Sequence, residues 1–323
     1  MRRGSLYRQW FLLALLAFCL MGRPGAVRAE VNLSEAVLLE PGEPPHELLR
    51  YDLEAFAPVS AVIDVDTTVE RRGEFIPGGS FTRVMPRMRL LMDYEVAEPA
   101  GDGTVRIAAN VREMQALDRE GVEEAVLKEV TQRFAPVRGI REESVADARG
   151  RYVDRLPDPS ELDPVRRARV EAQMNNVNET LLPLPAEPVG VGARWEVVEQ
   201  VSVRGLVIKD RTVYTLVEWS GNTAVIDFEV VHDGDITGRG TMDGFHPNLV
   251  LTSNEARGQG RAKVNFSSLV PQMDVQMEVV TRTFHRVEGH GRTSTLGRMS
   301  IRPGGVSTAH GAGLTPGLAP AEE

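Results

Sequence analysis

Met273, Val275, Met277 and Val279 fall on one side of an extended chain, with Gln272, Asp274, Gln276 and Glu278 on the other. A helix would scatter these eight residues around its circumference. A strand, whose side chains alternate between faces, sorts them into a dry row and a wet row. Such a strand belongs in an antiparallel sheet with one face on a core and the other in water. The same period of two runs through 213–219 and again through 223–230, on either side of Ser220-Gly221-Asn222. That reads as a β-hairpin. A matching hairpin is expected around Tyr94, Val96, Val105 and Ile107.

Two segments carry a helical period instead. Val122, Val126 and Val130 recur every four residues, with Glu123, Glu124, Lys128 and Glu129 elsewhere on the cylinder. Further on, Asp163 is placed to cap a helix and Pro164 fits its first turn. Val170, Met174, Val177 and Leu181 then form a stripe that Pro183 and Pro185 end. Both helices need an apolar surface to cover, and a sheet face is the surface on offer. The expected class is mainly β (α+β): antiparallel sheets in a curved half-barrel or sandwich, made of two similar β-rich halves with two packed helices.

Leu49-Arg50-Tyr51-Asp52-Leu53 resembles Ala193-Arg194-Trp195-Glu196-Val197, and a hairpin follows each. The organisation expected is a leader at 1–29, a β-rich half with one helix at 30–158, a linking helix at 159–184, a β-meander half at 185–288 and a tail at 289–323. The tail is dominated by Gly, Ser, Thr, Pro and Ala. Such a composition buries little apolar area against the entropy of ordering, so disorder is expected there.

Arg2, Arg3 and Arg8 precede an uncharged apolar run at 10–21, and Val27-Arg28-Ala29 offers a signal-peptidase site. These are the three parts of a secretory leader. The run is shorter than the stretch of about 20 residues that spans a bilayer. The mature chain, starting at Glu30, is therefore expected to be exported, periplasmic or extracellular, with no transmembrane segment. Cys19, the one cysteine, follows the bulky Phe18 inside that run, which argues against a lipobox and an outer-membrane lipid anchor. Without it the mature chain has no disulfide, thiolate metal site or cysteine nucleophile. Removing the leader takes five of 37 basic residues and no acidic one, so 32 face 46 and the net charge becomes −14. A surface of that sign repels nucleic acid. Lysine occurs only at Lys128, Lys209 and Lys263, so positive charge is nearly all arginine, a habit of GC-rich bacteria.

Catalytic signatures are sparse. No Gly-x-Ser-x-Gly elbow is present, and Ser80, after Gly78-Gly79, reads as a loop residue rather than a nucleophile. The six histidines form no metal-binding pair at helical spacing. His232-Asp233-Gly234-Asp235 is the densest cluster and is expected at a turn between strands. Asp64 and Asp66 share one strand face, within reach of a calcium ion, and a solvated face is the plainer reading. Gly101-Asp102-Gly103 and Gly190-Val191-Gly192 lack the Lys-Ser or Lys-Thr of a phosphate loop. The expectation is a non-enzyme with no catalytic residues, no metal site and no cofactor.

The run Pro183-Leu184-Pro185-Ala186-Glu187-Pro188-Val189-Gly190-Val191-Gly192-Ala193-Arg194-Trp195 resembles the P-x-x-P-V-G-V-G-x-x-W segment of an uncharacterised family of exported bacterial β-rich proteins. Asp147-Ala148-Arg149-Gly150 before it and Tyr214-Thr215-Leu216 after it follow the order of that family's D-x-x-G and Y-x-L stretches. The likeness brings no activity or catalytic residue with it. By fold analogy alone, a curved sheet closing over a helix is similar to the half-barrels of lipoprotein carriers. The expectation is an exported, non-catalytic envelope protein binding a lipid or other apolar ligand in a sheet cavity. Met174, Trp195, Met273 and Met277 are its candidate lining, with ordinary core packing as the competing reading of each. The alternative is an envelope interaction or assembly factor that uses a sheet edge or the acidic surface to bind a protein partner.

Overall fold

The computed structural model describes residues 30–33, 35–74, 79–135, 138–139, 141–156, 180–203, 206–234, 249–285 and 289–304. Among them lie fourteen strands: β1 (Glu30–Leu33), β2 (Val37–Glu40), β3 (Val59–Gly73), β4 (Ser80–Val84), β5 (Arg87–Val96), β6 (Thr104–Leu117), β7 (Arg141–Asp147), β8 (Tyr152–Leu156), β9 (Arg194–Val203), β10 (Leu206–Ser220), β11 (Thr223–Gly234), β12 (Leu249–Asn265), β13 (Gln272–His285) and β14 (Gly289–Gly304). All belong to one open, curved antiparallel sheet, in the order β1-β9-β10-β11-β12-β13-β14-β3-β5-β6-β7-β8. β2 continues the edge beside β9, and β4 pairs with the far end of β3.

The alternation that defines β13 is seen as expected: Met273, Val275, Met277 and Val279 are buried, and the residues between them are exposed. The two expected hairpins are β10–β11, turning at Gly221-Asn222, and β5–β6. The expected first helix is α1 (Glu124–Phe134), whose Val126, Val130 and Phe134 are buried in the common core. Val122, half-buried just before it, packs on the same core.

Two expectations are corrected. The first concerns the tail. Its first sixteen residues form β14, which lies between β13 and β3 and pairs with both. Backbone hydrogen bonds on both sides order this Gly-rich stretch, together with the buried Met299 and Ile301. The second concerns the linking helix. Residues 180–184, expected to complete it, are buried and not helical, while 157–179 lie outside the described residues. Strands of both expected halves share this single sheet: β9–β13 and β3–β8 flank β14, and β1 and β2 of the earlier half lie at the far edge beside β9.

Curvature brings the two edges of the sheet together at one end. Glu35, between β1 and β2, forms ion pairs with Arg149 and Arg151 in the β7–β8 turn at 3.4 and 2.7 Å. Residues 180–185 cross the same end. The Tyr152 hydroxyl accepts from the Thr180 N–H at 3.0 Å, the Tyr51 hydroxyl from the Leu182 N–H at 2.9 Å, and the Arg149 carbonyl from the Leu184 N–H at 2.9 Å. Leu49, Leu181, Leu182, Leu184 and Val189 are fully buried beneath them. This closed end is where the Pro183–Trp195 run sits. Gly150 has φ +71°, and a Cβ on it would stand 2.4 Å from the Leu182 carbonyl oxygen. Only glycine lets the turn and the strap meet so closely.

Candidate functional site

Trp195, Met273 and Met277 lie on the inward face of the sheet, each no more than 3% exposed. The Trp195 ring stacks on Tyr214 with centroids 5.6 Å apart, and its Nε1–H donates to the Pro183 carbonyl at 2.9 Å. Met273 and Met277 belong to the continuous core. Met174, the fourth candidate lining residue, lies outside the described residues.

The outward face of the same strands is charged in ordered rows. In register from β11 to β5, one row reads Asp227, Arg261, Asp274, Ser300, Asp64, Arg89. The row beside it begins Glu229, Gln259, Gln276, Arg298, Asp66. Directly opposed side chains on one face stand within about 5.5 Å, so opposite charges there attract and like charges repel. Arg261 grips Asp227 through two bonds of 2.6 and 2.8 Å and holds that carboxyl below the usual carboxylate range. Arg89 grips Asp64 at 2.7 and 2.9 Å, while Asp66 is shared by Arg87 and Arg119. The carboxylates of Asp64 and Asp66, close enough in sequence for a calcium site, are thus taken up by guanidinium groups.

A hollow of about 820 Å³ opens over these rows. Within it Asp274, Glu229 and Arg298 make no ion pair or side-chain hydrogen bond with another described residue, and Gln259 and Gln276 stand between them. The hollow therefore presents free acceptors, free donors and amides side by side. A second hollow of about 560 Å³ lies on the same face toward the opposite end of β13, β14 and β3.

One buried polar chain crosses the inward face. His232 and Asp210 are register partners on β11 and β10, 5% and 7% exposed, and Nδ1 of the imidazole hydrogen-bonds the Asp210 carboxylate. Nε2 meets the Asn254 amide at 3.1 Å, and the Thr281 hydroxyl donates to Oδ1 of Asn254 at 3.0 Å. Near it, the buried Thr212 hydroxyl finds no partner among the described residues. An Asp–His pair supplies two of the three members of a nucleophile-activating triad, but here the second ring nitrogen faces an amide instead of a hydroxyl or thiol. The chain satisfies buried polar groups by linking four strands. The expected turn at His232-Asp233-Gly234 is instead the end of β11, still paired with β12.

No protein-family model and no curated protein matches the chain, which is consistent with the resemblance to an uncharacterised family. Among solved structures it is similar to mutants of Rh. blastica porin. One of these is 8% identical, with a TM-score of 0.22 over 75% of this chain and 100% of the porin. Another is 7% identical, with a TM-score of 0.21 over the same shares. Scores this low carry no argument about fold or role. No helix among the described residues is long and apolar enough to cross a membrane.

Proposed function

We propose that this protein is an exported, non-catalytic component of a bacterial cell envelope that binds a polar macromolecular partner through its charged sheet face. The observation that carries this reading is the contrast between the two faces. The side chains suited to hold an apolar ligand, Trp195, Met273 and Met277, are packed in the core, whereas the open hollow of about 820 Å³ is lined chiefly by carboxylates, guanidiniums and amides, together with Phe228, Val275 and Met299. Desolvating free charges is worthwhile only when a partner pairs them, and Asp274, Glu229 and Arg298 are free to be paired. The leader supports export, and an arginine-rich, lysine-poor composition supports a bacterial source.

The test is a photo-crosslinking residue at Gln276, in the floor of the hollow, in the full chain expressed in its own host. The expected outcome is a discrete adduct on a mature chain starting at Glu30, lost when Asp274→Arg and Arg298→Glu are combined. Native mass spectrometry of the same preparation supplies the opposing outcome. A releasable lipid-sized adduct, with no crosslink at Gln276, would overturn the partner reading in favour of an apolar ligand.

A further inference from the structure

Arg282 on β13, Arg292 on β14 and Arg72 on β3 are direct register partners across three adjacent strands, on the outward face. Among the described residues no other arginine of the sheet stands directly opposite another arginine: Arg257 faces Glu278, Arg261 faces Asp227 and Asp274, and Arg298 faces Asp66, while a like-charged pair such as Asp233 and Glu255 is acidic. Like charges directly opposed destabilise a sheet. In a mature chain of net charge −14, three adjacent guanidiniums break the local rule. Places where a sequence breaks its own local rules are where function is expected.

The flanking arginines are partly neutralised. Arg72 pairs with Glu70 at 2.6 Å, and Arg282 pairs with Glu255 while donating to the Ser253 hydroxyl at 2.9 Å. Arg292, between them, makes no ion pair or side-chain hydrogen bond among the described residues. All three line the hollow of about 560 Å³, together with Thr252, Thr283 and His290. Glu74 also borders it, with its carboxylate laid against Gly289.

We propose that this hollow is a binding site for a phosphoryl group. A guanidinium fork matches the edge of an oxyanion, and residual N–H groups on Arg72 and Arg282 flank the free fork of Arg292. A carboxylate has two oxygens and saturates one fork. A tetrahedral phosphoryl group has three or more, enough to reach all three guanidiniums at once, and its second negative charge offsets their mutual repulsion. The site is six residues along β14 from Arg298, about 20 Å at strand rise, so it stands apart from the hollow in which the partner was placed.

The test uses the full mature chain with two probes: inorganic phosphate by titration calorimetry, and phosphatidylcholine vesicles with and without phosphatidic acid by co-sedimentation. At least one probe is expected to bind, weakened about tenfold or more in Arg292→Gln and unchanged in Lys263→Gln, which removes one positive charge elsewhere on the face. Arg292→Gln is also expected to melt no lower than wild type, since it relieves repulsion. Binding to both probes identifies a site for a free phosphoryl group; binding only to phosphatidic acid vesicles identifies a lipid headgroup. If neither probe binds, or if Arg292→Gln binds as well as wild type, the site does not exist.

Discussion

A methyl group at Gly260 would stand 2.4 Å from Cζ of Phe228 and 2.8 Å from the Asp274 carbonyl oxygen. The Phe228 ring lies across the bare backbone of β12, so the absence of a side chain at Gly260 is part of the core. Gly260→Ala is expected to cost about 1–3 kcal/mol through overpacking, read as a lower urea midpoint. At Gly258 the nearest atoms are 3.2 and 3.3 Å away, two of them on the flexible Met277 side chain. Gly258→Ala is expected to shift the midpoint much less, and equal losses would contradict this account. The same scale explains why the Asp210–His232 pair was hidden in the sequence. The β10–β11 turn pairs Ser220 with Thr223, and that register, continued unbroken, would set Asp210 opposite Asp233. A bulge at Val217, between the Leu216 and Glu218 pairings, shifts the register by one and brings His232 opposite Asp210 instead. Alternation shows which residues share a face, but a one-residue bulge decides which of them meet.

Between residue and molecule, the strap at 180–185 holds the closed end through side-chain hydroxyls, the indole N–H and one backbone bond to Arg149 rather than through pairing in the sheet. Tyr51→Phe leaves the buried Leu182 N–H without its acceptor and is expected to cost about 1–3 kcal/mol. Burial raises the Tyr51 and Tyr94 phenols well above their ordinary value. In the unfolded chain they ionise near pH 10, while in the folded chain they stay neutral. Their contribution is therefore complete below about pH 10 and lost as pH rises beyond it. The urea midpoint should hold steady up to that point and then fall, less steeply in Tyr51→Phe, which has one buried phenol fewer. An unchanged slope would show that other groups govern alkaline unfolding. Elements with a two-sided or one-sided apolar pattern, β13, the two hairpins and α1, could be read from sequence. The strap could not: Leu181 fits the end of a helical stripe, and the partners that hold the chain out of a helix there, Tyr51, Tyr152 and Trp195, are distant in sequence.

For the whole molecule, the last described strand is the joint. β14 places Gly291, Thr295, Gly297, Met299 and Ile301 inward and is paired along most of its length with β13 on one side and β3 on the other. Its inward residues are mostly small, so its composition resembles a linker, and its order comes from two neighbours that the sequence alone does not reveal. Without β14 the block β9–β13 and the block β3–β8 would each present a long unpaired edge, with only the closed end to hold them together. Open edges of that length invite intermolecular pairing. A chain ending at residue 288 is therefore expected to lose cooperative urea unfolding and to aggregate, while retaining part of the β signal in far-ultraviolet circular dichroism. A sharp transition at the wild-type midpoint would mean that the two blocks are independent units and that β14 merely decorates them. The charged rows make the same point from the functional side. Arg298 and Arg292 are carried by β14 and stand between residues of β13 and β3, so both proposed sites exist only where this strand has joined the two blocks.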